Sequence, residues 1–187
     1  MGAIHSPQPA LLLVAASSRY AAALDWARDR AAGDFGPLAA TSPAFDFTET
    51  DYYAAEMGGD LKKQFWVHAP LIDPGRLPAI KRATNAWEAE YAAAAGHPES
   101  RPLNLDPGYL TLAKLVLGST KDHAHRIYLG QGIYAEVTLS YRSRQWQPHP
   151  WTYPDYRRDD FQEFFSQCRE LLRGGGGGSL TPGGGGS

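Results

Sequence analysis

The sequence predicts an α+β fold with a mainly antiparallel sheet. A split βαβ, ferredoxin-like core is extended by a C-terminal β-meander and a C-terminal helix. Three observations carry this expectation. The periodicities run strand–helix–strand–strand–helix–strand through the first part of the chain. Hairpin chemistry then takes over around "GQG" (Gly130, Gln131, Gly132) and at Ser143-Arg144. Finally, Phe161, Phe164, Phe165, Cys168, Leu171 and Leu172 recur at helical spacing.

The elements follow in order. "LLLVAAS", Leu11 through Ser17, reads as a strand buried on both faces. Arg19 through Ala32 reads as a helix whose apolar stripe is Tyr20, Leu24, Ala27 and Ala31, ended by Gly33 and Gly36. A short strand is expected over residues 44–48, then a helical turn ending at Gly58. Phe65, Val67, Ala69 and Leu71 alternate with Gln64, Trp66, His68 and Pro70, a strand with one buried face that ends near Pro70. "DPG" at Asp73 is a turn. Leu77, Ile80, Thr84, Trp87 and Tyr91 mark a helix stopping near Gly96. A second "DPG", Asp106-Pro107-Gly108, is expected to turn again, and the Leu and Ala content of residues 109–117 favours a helix after it.

In the hairpin, a three-residue GQG loop suits a type I turn plus bulge. Pairing Leu129 with Ile133 sets Ile127 opposite Ala135, His125 opposite Val137, Arg126 opposite Glu136 and Tyr128 opposite Tyr134. The next turn sets Tyr141 beside Trp146. In the last helix, Asp160 and Glu163 suggest a capping box, and Cys168 lies on the buried stripe as a small core residue.

Residues 1–173 are expected to form a single globular domain. Residues 174–187, "GGGGGSLTPGGGGS", lack the side chains to build a core and read as a flexible Gly-rich tail or linker. Cys168 is the single cysteine, so neither an internal disulfide nor a four-thiol zinc site is available. The longest apolar run is too short to span a bilayer, and no basic residue precedes it, so a cytoplasmic protein is expected. The net charge of −2 gives no global attraction for nucleic acid.

Four blocks carry a resemblance: "FDFTETDYYAAEMG", "LNLDPGYLTLAKLVLGSTKD", "HRIYLGQGIYAEVTL" and "WTYPDYR". With these the chain resembles a bacterial family catalogued as domain of unknown function 4416, over nearly its whole length. The resemblance implies no activity, cofactor or catalytic residue. No G-x-x-x-x-G-K-[ST] loop is present, and "TKD" at Thr120 lacks the spacer of guanine-recognition motifs.

The leading expectation for function is a module that binds a phosphate-bearing small molecule or nucleotide. Its pocket would lie between the Asp106-Pro107-Gly108 turn and the hairpin of residues 125–139. Lys114, Lys121, Arg126, Asn104 and Tyr109 would contact the ligand, because Arg offers a planar fork and Lys a point charge to phosphate. An alternative is a phosphoryl-transfer or hydrolytic enzyme in the same pocket, with Asp106, Glu136 or His125 as the acid–base group. These three also supply metal-ligand types, but no H-x-E or H-x-x-x-H spacing supports a metal. A third expectation is an RNA-binding or protein-interaction module using the arm of residues 148–158, where Trp151, Tyr153 and Tyr156 would stack bases and Arg157 and Arg158 bind phosphate. Tyr52, Tyr53, Glu56, Lys62 and Lys63 form a further candidate cleft. Each set also has a bland account: a cross-strand ion pair, rings closing over the sheet, or a solvated helix end.

Overall fold

The apolar run that begins at Ala10 becomes the centre of the molecule. The computed structural model describes residues 2–48 and 54–175. In chain order the elements are β1 (Ala10–Ser18), α1 (Ala21–Phe35), β2 (Leu38–Thr41), β3 (Phe45–Asp46), α2 (Ala54–Met57), β4 (Lys62–Ile72), α3 (Leu77–Ala95), β5 (Asn104–Leu110), β6 (Lys114–Ser119), β7 (Ile127–Gly130), β8 (Ile133–Arg142), β9 (Gln145–Pro148) and α4 (Asp159–Arg173). Among the described residues the strands join one antiparallel sheet in the order β2-β4-β1-β5-β6-β8-β7, with β3 beside β4 and β9 beside β8. The class is α+β, and the order β2-β4-β1-β5 is compatible with a split βαβ core.

β1 is laddered on both flanks, and its alternation divides the core. Leu12, Val14 and Ala16 meet the face covered by α1 and α3, whereas Leu11, Leu13 and Ala15 meet the face covered by α4. On the first face Ala23, Leu24, Ala27 and Ala31 of α1 and Trp87 and Tyr91 of α3 close over Trp66, Leu103 and Leu105. On the second, Phe161, Phe164, Phe165 and Cys168 of α4 close over Phe65, Leu117, Leu139 and Trp146. The ring centroids of Phe65 and Phe161 lie 4.8 Å apart at 82°, an edge-to-face contact that the ring quadrupoles favour.

Several expectations hold at the level of residues. Ile127 pairs with Ala135, Tyr128 with Tyr134, and Tyr141 with Trp146. Gly96 ends α3 in the left-handed region at φ 67°.

Others are corrected. Asp106-Pro107-Gly108 is not a turn but the middle of β5, because β1 pairs with it from Asn104 to Leu110. Residues 109–117 are not a helix: the end of β5 and β6 pair across a tight turn closed by Thr111 N–H to Lys114 O, and their Leu and Val side chains fill both sheet faces. β4 does not stop at Pro70. It runs to Ile72, and Pro70 falls where the β1 ladder is irregular, so its missing N–H costs no ladder bond. β4 is also buried on both faces from Phe65 to His68, not on one.

The strand expected over residues 44–48 shrinks to β3, while β2 carries no sequence pattern strong enough to announce it. α1 starts later and runs through Gly33 to Phe35. Arg158, not Asp160, precedes the first helical residue of α4. Asp160 instead takes the Phe161 N–H at 2.9 Å, and Arg158 donates to both of its carboxylate oxygens. At the hairpin tip Gln131 (φ 56°) and Gly132 (φ 77°) are both left-handed, the type I′ pattern, and Gly130 rather than Leu129 faces Ile133. The expected meander is a branched arrangement. β6 occupies one edge of β8, and β7 and β9 share the other, near its start and end.

Candidate functional site

A cavity of about 810 Å³ opens where β5 and β6 part. The two strands pair only from Gly108 with Leu117 to Leu110 with Leu115. Gly108 is required there: a Cβ at this position would stand 2.1 Å from the Val116 carbonyl oxygen. Pro107, the next residue back, has no N–H to extend the ladder. Continued in register, Asp106 would face Ser119 and Asn104 would face Lys121. Instead the strands diverge, and these four residues line the cavity.

Side chains reach the gap from both sheet faces. Lys81, Asn85 and Glu88 sit at i, i+4 and i+7 on α3, one polar stripe beside the apolar one. Lys63 from β4 and the segment Tyr153 to Tyr156 enter from the α4 side, with Arg101, Arg126 and Glu136 between. The charges are paired. Lys63 Nζ donates to Asp155 Oδ2 at 2.6 Å and lies 4.6 Å and 4.7 Å from the ring centroids of Phe47 and Tyr156. Lys81 Nζ donates to Leu105 O at 2.7 Å and to Asp106 Oδ1 at 3.0 Å. Arg101 donates to Glu88 Oε2 at 3.1 Å and also to Asn104 Oδ1, whose amide in turn donates to Asp106 Oδ2 at 2.8 Å. Arg126 Nε donates to Glu136 Oε2 at 2.8 Å, and the rest of its fork reaches Ser119, the Lys121 carbonyl and Tyr153.

These surroundings set the proton affinities. Burial disfavours the Asp106 carboxylate, but Lys81, Lys63 and the Asn104 amide outweigh it and hold its pKa at about 2. Burial raises the pKa of Glu88 above its ordinary value, against the partial opposition of Lys81 and Arg101. Burial also lowers the affinity of Arg126 for its proton, but its bonds to Glu136 and Tyr153 prevail and raise it, so the guanidinium is permanently charged. Glu136 accepts from Arg126, from the Thr138 hydroxyl at 3.3 Å and shares a 3.0 Å contact with His125 Nε2.

The residues expected from sequence fall into three groups. Asn104, Asp106, Lys121, Arg126, Glu136 and Tyr153 line the cavity. His125 stands behind Glu136, stacked on Trp151 at 5.4 Å. Lys114, Tyr109, Trp151 and Arg157 lie elsewhere. Lys114 pairs with Ser140 at the far end of β6, and Tyr109 packs toward α3. Trp151 donates to Val137 O at 3.0 Å and Arg157 to the carbonyls of Thr152 and His149, so the arm is fastened to β8 and to itself.

The turn expected at Asp106-Pro107-Gly108 to border the pocket does not exist, since that segment is strand. Lys63, Lys81, Asn85, Glu88, Arg101 and Asp155 were not expected as one site. Their only trace in the sequence is a Lys, an Asn and a Glu interrupting the expected helix at the spacing of its own turns. Of the proposed cleft near residue 52, Lys63 belongs to this cavity and Lys62 pairs with Asp46, while Tyr52 and Tyr53 lie outside the described residues. Among the described residues no group of three His, Cys, Asp or Glu is placed to hold a metal ion, and no helix is long and apolar enough to cross a membrane.

Residues 8–172 match the model of the family described as domain of unknown function (DUF4416), and the chain belongs to it. No curated protein and no solved structure matches the chain.

Proposed function

We propose that this member of the family binds a phosphate-bearing small molecule or nucleotide in the cavity where β5 and β6 part. One observation carries the reading. Five cationic side chains, Lys63, Lys81, Arg101, Lys121 and Arg126, come from separate parts of the chain to one concavity of about 810 Å³. That volume suits a ligand of nucleotide size, and Arg and Lys held in a sheltered site are the groups that recognise phosphate. We assign the activity to the cytoplasm, in keeping with a lone thiol, Cys168, buried in the core.

The test is thermal denaturation with inorganic phosphate, nucleotides and phosphorylated metabolites. A ligand at a hundredfold excess over its Kd contributes about 2.7 kcal/mol. For a domain of this size that raises Tm by roughly 5–11 °C. A panel of these classes producing no shift would overturn the reading.

A further inference from the structure

We infer that the ligand of the cavity carries a flat heteroaromatic ring, and that this ring stacks on the imidazole of His123. The inference rests on the phosphate-ligand reading above and adds the chemical class: a nucleotide or another phosphorylated heterocycle, as opposed to a sugar phosphate.

A ladder of four rings carries the argument. The centroids of His149 and Trp151 lie 4.8 Å apart at 6°, those of Trp151 and His125 5.4 Å apart at 9°, and those of His125 and His123 5.8 Å apart at 6°. Nearly parallel planes with offset centroids are an arrangement that the ring quadrupoles favour. Three of the rings are pinned by hydrogen bonds. Trp151 Nε1 donates to Val137 O at 3.0 Å, His149 Nε2 pairs with Ser140 Oγ at 2.9 Å, and His125 Nε2 with Glu136 Oε2 at 3.0 Å. His123 is not pinned. Among the described residues neither of its ring nitrogens has a partner, and His125 is its one ring neighbour. Stacking alone sets the place of this imidazole.

The ladder ends at the site. His123 is exposed and lines the cavity, whereas His125, Trp151 and His149 stand outside it. A terminal ring with one ring neighbour and a free edge is a platform on which a further flat ring continues the stack, as bases do on histidine. A saturated sugar has no π-face to gain from it.

The cavity also offers the polar complement of a heterocycle. Neither the oxygen nor the nitrogen of the Asn85 carboxamide has a partner among the described residues, although the side chain lines the cavity from the middle of the polar stripe of α3. An amide presents two donors and an acceptor in one plane, which suits the edge of a ring bearing nitrogens and carbonyls. A plain phenyl ring would leave that amide unpaired.

The experiment is calorimetric titration of the full chain with two sets of probes. One set is the adenosine, guanosine, cytidine and uridine 5′-monophosphates and flavin mononucleotide; the other is ribose 5-phosphate and inorganic phosphate. At least one ring-bearing probe is expected to bind about fivefold to a hundredfold more tightly than ribose 5-phosphate, the range that stacking one base on an aromatic side chain contributes. Which probe binds separates a nucleobase from a flavin. His123→Ala is expected to remove the margin, and His123→Phe, which keeps a flat ring without its nitrogens, to restore it. Without any variant, the ultraviolet absorbance of the bound ring is expected to fall, the mark of ring-on-ring stacking. Ribose 5-phosphate binding as tightly as every ring-bearing probe, an unchanged absorbance, a margin that survives His123→Ala, or one that His123→Phe fails to restore overturns the stacking and leaves phosphate binding standing. Silence from every probe overturns both.

Discussion

Two regions of the same sheet are equally sheltered and chemically opposite. Under α4, Phe65 meets the rings of Phe161, Phe164, Phe165 and Tyr156. Where β5 and β6 part, surface of comparable burial is made of Lys63, Lys81, Asn104, Glu136 and Asp155. The first region follows the ordinary rule that apolar area removed from water stabilises the fold. The second does not, because attraction within a buried ion pair roughly offsets the cost of taking both charges out of water. Holding such pairs around one cavity, Lys63 with Asp155 and Arg126 with Glu136 the most buried, adds little to net stability. Lys63 marks the border, with its ammonium against two rings and one carboxylate.

The largest expected effect lies on the aromatic side. Phe165→Ala should cost about 3–5 kcal/mol in urea denaturation, since it removes a fully buried ring from a packed cluster. A loss under about 1 kcal/mol would mean the α4 face is loosely packed and would dissolve the contrast.

The charged side should respond differently to single and paired changes. Asp155→Leu alone strands the Lys63 ammonium and is expected to cost about 3 kcal/mol, whereas Asp155→Leu with Lys63→Met should return to within about 1 kcal/mol of the parent. If the double variant is as unstable as the single, the pair contributes to stability outright and the comparison fails.

How much of this was legible from sequence differs between the two regions for a physical reason. The Phe161–Cys168 stripe announces α4 because every member answers to one local period. The β1 run announces a strand for the same reason. The cavity has no local period. Lys63, Lys81, Arg101 and Asp155 come from four separate segments, and nothing in any one of them points to the others. The hairpin pairs Ile127–Ala135 and Tyr128–Tyr134 were readable because a tip fixes register over a few residues. Asp106-Pro107-Gly108 was misread because its turn chemistry is genuine locally and is overridden by β1, which supplies a complete ladder along one flank. Pro107 and Gly108 then serve the site in another way, by stopping the β6 ladder and allowing the close approach beside it.

The smallest effect is a pH step on the α1 side. His68 is fully buried; its Nδ1–H donates to Gly36 O at 2.8 Å and its Nε2 has no partner. Burial lowers its pKa below the ordinary 6.5, partly offset by the Gly36 bond. As the pH falls below about 6.5 the unfolded chain takes a proton that the folded chain refuses, so stability should decline through that window and be complete above it. Glu88, with its raised pKa, acts in the opposite sense, since its folded form holds a proton longer as the pH rises. The difference between parent and His68→Asn melts across pH 5 to 8 isolates the histidine. Parallel curves would show that the ring titrates alike in both states.

β1 has one more consequence. A strand with partners on both flanks and side chains packed on both faces cannot be bared by fraying at an edge or by widening of the β5–β6 gap. In deuterated water, the amides of Leu12 through Ala16 should therefore be the last to trade their hydrogens, and should do so only when the whole chain comes apart.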